Sequence, residues 1–102
     1  SLSTRFKIYD DFLPIGPWID TDFDPKGKRV RCYLNGSMKQ DAELDHMAFG
    51  VEQTVSWISE VMTLEPGDVI MMGTPPGFVP MQRGDQVSCE VVGLGILENV
   101  VV

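Results

Sequence analysis

The pattern of apolar and polar positions predicts a chain built mainly from short strands. Within residues 29–34, Val30, Cys32 and Leu34 alternate with charged or polar neighbours, as in a strand with one buried face. Residues 69–72 are instead apolar without a break, which is typical of a strand buried on both faces. By the same reasoning, strands are predicted near residues 5–12, 29–34, 37–41, 69–72, 87–92 and 96–102.

Turn signals separate these segments. Asn35-Gly36 predicts a tight hairpin, because both residues tolerate the positive φ of a type I′ turn. Pro66-Gly67 predicts a second turn. The Arg-Gly-Asp triplet at residues 83–85 also predicts a turn, rather than an adhesion motif. The glycines of Gly93-Leu94-Gly95 predict a kink or bulge before the last strand.

One segment has helical periodicity. Val51, Val55, Ile58 and Met62 recur at intervals of four, three and four residues, which predicts an amphipathic helix over about 50–62. Strands with a single helix indicate a β-rich α+β domain. We also expect Trp18, in a proline-rich apolar stretch, to fill part of the core.

Charge restricts the class of partner. The chain of 102 residues carries 8 Lys+Arg against 15 Asp+Glu, a net charge of −7, which repels phosphate backbones and anionic lipid surfaces. No run reaches the roughly 18 apolar residues of a membrane span. We therefore expect neither a nucleic acid nor a membrane as partner, and a cytoplasmic location.

The cysteines and the single histidine do not predict catalysis. Cys32 and Cys89 lie in strand-like contexts without metal-ligand spacing, so reduced, buried thiols are expected rather than a disulfide. His46 has no serine or cysteine nucleophile at nearby spacing, which favours a surface position.

Two stretches carry candidate chemistry. The apolar run 69–72 ends at Gly73-Thr74, where a hydroxyl and a backbone amide lie beside a glycine that permits close approach of a small anion or carboxylate. Thr74 could equally satisfy only its own backbone. Alternation places Lys7 on a face that is either solvated or the wall of a cleft, and Gln40 either faces a site or is a polar ladder residue.

The chain resembles the carboxyl-terminal half of the fumarylacetoacetate hydrolase family. The resemblance rests on motifs in the family's order over nearly the whole chain. They are Lys7-Ile8-Tyr9-Asp10, Gly16-Pro17-Trp18-Ile19, Leu34-Asn35-Gly36 to Gln40, Met47-Ala48-Phe49, Leu64-Glu65-Pro66-Gly67-Asp68-Val69-Ile70, Gly73-Thr74-Pro75, Gly84-Asp85 and Gly93-Leu94-Gly95-Ile96-Leu97-Glu98-Asn99.

The resemblance implies a mixed β-roll and an enzyme that acts on small 2-oxo or dicarbonyl acids, by C–C bond hydrolysis of acylpyruvates or by related isomerisation or decarboxylation, as in aromatic-compound catabolism. It implies a bound Mg²⁺ or Mn²⁺, Lys7 as the catalytic residue beside it, and Gly73 and Thr74 as substrate-binding residues. The family's metal-binding carboxylates lie upstream of the lysine loop, and Asp11 could add one oxygen or pair with Lys7.

Two hypotheses about the whole molecule follow. In the first, residues 1–102 are the carboxyl-terminal part of a catalytic domain whose metal ligands lie on an amino-terminal half. In the second, they form a noncatalytic β-domain that retains the fold as a binding or assembly module. Part of a β-roll leaves strand edges open, so we expect a homodimer or association with the amino-terminal half.

Overall fold

A four-stranded antiparallel sheet organises the protein. The computed structural model describes residues 5–102. The strands are β1 (Arg29–Leu34), β2 (Ser37–Glu43), β3 (Gln86–Val91) and β4 (Gly95–Val100), in the sheet order β2-β1-β3-β4. A helix, α1 (Val51–Val61), and a 3-10 turn, Leu44–His46, lie between β2 and β3. The predicted β-rich α+β class with one helix is therefore confirmed, as are the four predicted strands in this sheet.

The turns form where the sequence predicts them. Asn35 and Gly36 have φ of 49° and 79°, and they join β1 to β2. The Asn35 side chain also donates to Asp85 Oδ1 at 2.9 Å, and its Oδ1 accepts from the backbone N–H of Gln86. This hairpin turn thus also holds the start of β3 in place.

The helix is real, but its predicted buried stripe is wrong. α1 begins one residue later and ends one residue earlier than predicted. Thr54 and Ile58 are half-buried, whereas Val51 is 44% and Met62, just beyond the helix, 60% exposed. Among residues 5–102 no side chain is fully buried. Most of the apolar stripe is therefore left uncovered within the described residues.

Two predicted strands are not strands. Residues 5–12 form turns, because Phe12 N–H donates to Tyr9 O at 3.2 Å and Asp11 adopts a positive φ of 62°. The two rings contact each other in a tilted arrangement, with centroids 5.2 Å apart and an interplanar angle of 51°, so the aromatic spacing reflects a local turn. Residues 69–72 pair with no strand within 5–102, and Met71 is 57% exposed. A continuous apolar run indicates that a segment tends to be buried, but it does not show that another strand pairs with it.

Trp18 packs on the sheet but does not fill a core. Its Nε1 donates to the carbonyl of Leu94 at 3.0 Å, and its ring covers Gly95, where an added Cβ would lie 2.5 Å from Cζ2. The indole is nevertheless 57% exposed. The predicted kink at residues 93–95 is thus the platform on which Trp18 rests.

A network of ion pairs covers one face of the sheet. Arg29 Nε lies 2.8 Å from Asp41 Oδ1, and Arg31 Nε lies 3.4 Å from the same oxygen. The hydrogen bond from Arg29 is the main reason why the pKa of Asp41 is lowered. This contribution to stability is present above the pKa of an unfolded Asp and is lost as the pH falls through the lower folded pKa.

The two cysteines face each other across β1 and β3. Cys32 and Cys89 are Cα partners with their sulfurs 3.9 Å apart, and both are free thiols. Asn35 N–H donates to Gln86 O three positions along the ladder, so the cysteines occupy a non-hydrogen-bonded position, where side chains lie closest. The reduced state of the two thiols stays a prediction. The predicted burial is wrong, because Cys32 is half-buried and Cys89 is exposed.

The raised pKa of Cys89 predicts that its thiol reacts slowly and that the reaction rate depends on pH. Although Cys89 as a whole residue is exposed, partial desolvation of its thiol, followed by the neighbouring Cys32, raises the pKa of Cys89 to about 11. Alkylation by iodoacetamide at pH 8 should therefore be roughly 100-fold slower than that of free cysteine, with the rate rising toward pH 11. Between the unfolded pKa and about 11 only the unfolded chain loses this proton, so stability falls as the pH rises through that window.

Site-resolved mass spectrometry of the alkylated protein measures this rate, and Cys32→Ser is the control. Removing Cys32 should speed modification of Cys89 by lowering its pKa. A rate for Cys89 equal to that of an unfolded peptide at pH 8 would contradict the pairing of the two thiols across the sheet.

The protein exposes far more surface than its size requires. The accessible surface is 8330 Å², whereas a folded monomer of 11.4 kDa has about 5,800 Å². The Cα radius of gyration is 14.7 Å, against about 13 Å for a compact domain of this length. Covering this excess of roughly 2,500 Å² on one partner would bury about 5,000 Å² in total, which is the size of an obligate interface. No helix within residues 5–102 has the length and hydropathy needed to cross a membrane.

Candidate functional site

A broad open cleft of about 1080 Å³ lies between the sheet and the loops that precede and follow α1. The sheet contributes parts of β1 and β2 and Cys89 of β3. Residues 46–49 form a second wall, and residues 71–76 form a third. The cleft therefore contains the Gly73-Thr74 loop that the sequence predicts to bind an anion.

A side-chain amide holds this loop. Gln40 Nε2 donates to Thr74 Oγ1 at 2.9 Å and to the carbonyl of Pro75 at 2.6 Å. Gly73 has a φ of 94°, a backbone that glycine adopts readily. Gln40 is half-buried, while Thr74 is exposed to the cleft. The alternative in which Gln40 is only a ladder residue is wrong, and so is the one in which Thr74 bonds only its own backbone.

An irregularity in β2 meets this loop. Cys32 pairs with Gln40 but Tyr33 pairs with Met38, so Lys39 is the extra residue of a β-bulge. Gly77 approaches the bulge so closely that a Cβ on it would lie 2.2 Å from the carbonyl oxygen of Lys39. The loop is therefore attached to β2 at both ends, through Gln40 and through Gly77.

This close approach predicts an asymmetric effect of adding a methyl group. Gly77 and Gly67 both have positive φ, 103° and 96°, but only Gly77 has an atom within 4 Å of the added Cβ. Gly77→Ala should therefore cost about 1–3 kcal/mol more of the free energy of unfolding than Gly67→Ala. Urea unfolding of the two variants measures the difference. Equal losses would mean that the loop does not rest on the bulge.

Lys7 and Asp11 lie outside this cleft lining. Both are exposed on the turns of residues 5–12, and no ion pair joins them within the described part of the chain. The structure therefore brings Gln40, Gly73 and Thr74 together without Lys7. His46 is a surface residue, with its side chain 73% exposed and its Nε2 3.5 Å from Glu43 Oε2.

The described residues do not by themselves fit a metal ion. Mg²⁺ takes near-octahedral oxygen coordination, usually with one or two carboxylates among its ligands. Residues 5–102 contain no group of three or more His, Cys, Asp or Glu side chains that could hold a metal, and Asp11 has only Asp10 beside it in its turn.

The fold and the cleft define a β-rich domain with an exposed glycine-containing loop in its cleft. The chain belongs to the fumarylacetoacetate hydrolase family, since the model described as fumarylacetoacetate (FAA) hydrolase C-terminal matches residues 2–102. The resemblance that the sequence motifs indicate is thereby confirmed.

Solved structures agree closely with this fold. A 2-hydroxyhepta-2,4-diene-1,7-dioate isomerase from Mycobacterium marinum is 49% identical, with a TM-score of 0.89, over 92% of this chain and 37% of that chain. A maleylpyruvate hydrolase from Sphingobium sp. SYK-6, in complex with manganese(II) and pyruvate, is 34% identical, with a TM-score of 0.87, over 92% of this chain and 37% of that chain.

A curated relative has a third activity. The mitochondrial oxaloacetate tautomerase Fahd2a of Rattus norvegicus is 38% identical over 94% of this chain and 34% of its own length. This chain thus spans between a third and a half of the curated relatives that it matches. Homologues in the family are isomerases, hydrolases and tautomerases of small acids.

Proposed function

We propose that residues 1–102 are the carboxyl-terminal part of a divalent-metal-dependent enzyme that acts on small 2-oxo or dicarbonyl acids. Such an enzyme would hydrolyse a C–C bond of an acylpyruvate-type substrate, or isomerise or tautomerise a related acid. The named relatives are an isomerase, hydrolases and a tautomerase of small acids, and two relatives hold Mn²⁺ together with pyruvate. Because this chain spans only part of the length of those relatives, we propose the activity for the whole enzyme and not for this chain alone.

The observation that carries the proposal is the Gly73-Thr74 loop in its cleft. A glycine amide beside an exposed hydroxyl offers two donors to a carboxylate, and Gln40 fixes the hydroxyl in position. In this role Gly73 and Thr74 hold the carboxylate of the 2-oxo acid, and so orient its oxo group.

Lys7 is assigned to the reacting end of the substrate. An ammonium on an exposed turn is available to stabilise negative charge on a substrate oxygen. The carboxylates that bind the metal, Mg²⁺ or Mn²⁺, lie on residues outside this chain, apart from Asp11. Asp11 is the one candidate ligand within this chain. The open surface of about 2,500 Å² supports burial against those further residues or against a second subunit.

A hybrid enzyme tests the proposal without relying on the fragment alone. In this hybrid the residues of this chain replace the segment that they match in the M. marinum isomerase. We expect a folded hybrid to act on at least one of three substrates, namely the parent's dioate, maleylpyruvate or oxaloacetate. EDTA should abolish this activity, and Mn²⁺ should restore it.

The parent isomerase on its own substrate is the positive control, and circular dichroism checks that the hybrid is folded. A folded hybrid that binds Mn²⁺ but acts on none of the three substrates would contradict the proposal. It would favour the alternative of a noncatalytic binding or assembly module.

A further inference from the structure

We infer that Gln40 is a positioning residue that forces the Thr74 hydroxyl to act as a hydrogen-bond donor toward the substrate carboxylate. The inference rests on the proposed function and adds a role for Gln40, a residue to which the family resemblance assigns none. It concerns the direction of one proton, because a hydroxyl that donates to a carboxylate binds it and one that can only accept repels it.

The chemistry of Pro75 fixes the orientation of the amide. The oxygen and nitrogen of a glutamine side chain are assigned from their partners, and a backbone carbonyl can only accept. The Gln40 atom 2.6 Å from Pro75 O must therefore be the NH₂ group. The same nitrogen lies 2.9 Å from Thr74 Oγ1, so Gln40 uses one hydrogen for each oxygen.

The Thr74 hydroxyl is consequently an acceptor on the side of Gln40, and its own proton must go elsewhere. Within residues 5–102 no oxygen accepts that proton. Thr74 is exposed in the wall of the cleft. An anion in the cleft is the partner that completes the hydrogen bonding of this hydroxyl, and a hydroxyl bonded to a carboxylate is a charge-assisted contact.

The position of Gln40 follows from the bulge in β2. Gln40 is opposite Cys32, and the extra residue at Lys39 changes the alternation of side chains just before it. β2 is an edge strand of the sheet, so its outer side is free for the loop to approach. The close contact of Gly77 with Lys39 O holds the loop against the same bulge. A bulge that redirects a side chain next to a site is a common functional device.

The competing explanation is that Gln40 only ties the loop down through Pro75 O. The two explanations differ in how Gln40 and Thr74 combine. If Gln40 acts through the Thr74 hydroxyl, removing that hydroxyl makes Gln40 irrelevant to substrate binding. If Gln40 only holds the loop, its removal costs the same whether or not the hydroxyl is present.

Steady-state kinetics of the hybrid enzyme with 2-oxo acid substrate test the inference. We expect Gln40→Ala to raise KM on the order of tenfold with kcat within about twofold, because it weakens binding of the carboxylate rather than the chemical step. In Thr74→Ala, adding Gln40→Ala should raise KM no further. A full additional increase in the double variant would overturn the inference.

Gln40→Glu, compared with and without Thr74→Ala, provides a second readout, because loss of a structural tie through Pro75 O would raise KM equally in both backgrounds. The glutamate carboxylate would accept the Thr74 proton and place negative charge beside the substrate, so KM should exceed that of Gln40→Ala at pH 7.5. The ratio of KM values for Gln40→Glu and the unsubstituted hybrid should then fall as the pH approaches the glutamate pKa, about 4.3. A ratio independent of pH would contradict the inference.

Gln86→Glu is the matched control, since Gln86 is an exposed residue at the start of β3 and should leave KM unchanged. The proposed carboxylate site and the role of Gln40 can be disproved separately. If Thr74→Ala leaves KM unchanged, the proposed carboxylate site is wrong and the role of Gln40 falls with it. If Thr74→Ala raises KM but the Gln40 variants do not, only the role of Gln40 is wrong.

Discussion

Replacing Lys7 by alanine is expected to lower kcat of the hybrid enzyme by about 100- to 1,000-fold with a smaller change in KM. The reason is that an ammonium directed at a substrate oxygen stabilises charge that develops in the transition state, and loss of one such donor typically costs this factor. Stopped-flow or steady-state assays with the hybrid's best substrate measure the effect. The unsubstituted hybrid at the same Mn²⁺ concentration is the reference.

Lys26→Ala is the matched control, because Lys26 is another exposed lysine and lies in the loop before β1. It should leave kcat unchanged. A Lys7→Ala hybrid that keeps more than half of its kcat would remove Lys7 from the catalytic machinery and leave the proposal resting on the Gly73-Thr74 loop.

Replacing Thr74 by alanine is expected to raise KM for a 2-oxo acid by about 10- to 150-fold, with Mn²⁺ binding unchanged. A hydrogen bond to a charged group contributes about 1.5–3 kcal/mol, and each 1.4 kcal/mol is a factor of ten. Thr74→Ser keeps the hydroxyl and should lose much less. Isothermal titration calorimetry of the hybrid with pyruvate measures the same loss of binding as an increase in Kd.

Thr63→Ala, at an exposed threonine after α1, is the control for a nonspecific effect of removing a hydroxyl. A Thr74→Ala hybrid that binds pyruvate as tightly as the unsubstituted one would show that the carboxylate lies elsewhere.

Local patterns predict the sheet well. β1 and β3 alternate apolar and polar residues, and Asn35-Gly36 fixes the register between β1 and β2 through its two positive φ angles. These features depend on interactions between near neighbours in the sequence. The pairing of β1 with β3 across some 50 residues then follows from the same alternation.

The errors have a common physical cause. The helix stripe at Val51 and Met62, the apolar run 69–72 and Trp18 are predicted to be buried and are largely exposed. Apolar spacing shows which face of a segment seeks burial, but not which residues will cover that face. Where the excess surface of a chain is large, as it is here, such patterns predict interfaces more reliably than cores.

The site is only partly predictable from the sequence. Gly73 and Thr74 are identifiable because a glycine-rich loop with one hydroxyl follows an apolar run. The contact with Gln40 is not, because it joins residues 34 positions apart and depends on an extra residue in β2. The one sequence feature that predicts this contact is the extra residue of β2 between Gln40 and the hairpin turn. It can be recognised only once the pairing of β1 and β2 is known.

The most direct test of the central claim is the crystal structure of the hybrid enzyme with Mn²⁺ and pyruvate. The account predicts the pyruvate carboxylate within hydrogen-bond distance, about 2.6–3.2 Å, of Thr74 Oγ1 and of the backbone amide of the Gly73-Thr74 loop. It also predicts that the Lys7 ammonium points at the pyruvate oxo group. A pyruvate bound to the metal with its carboxylate away from Thr74 would contradict the account.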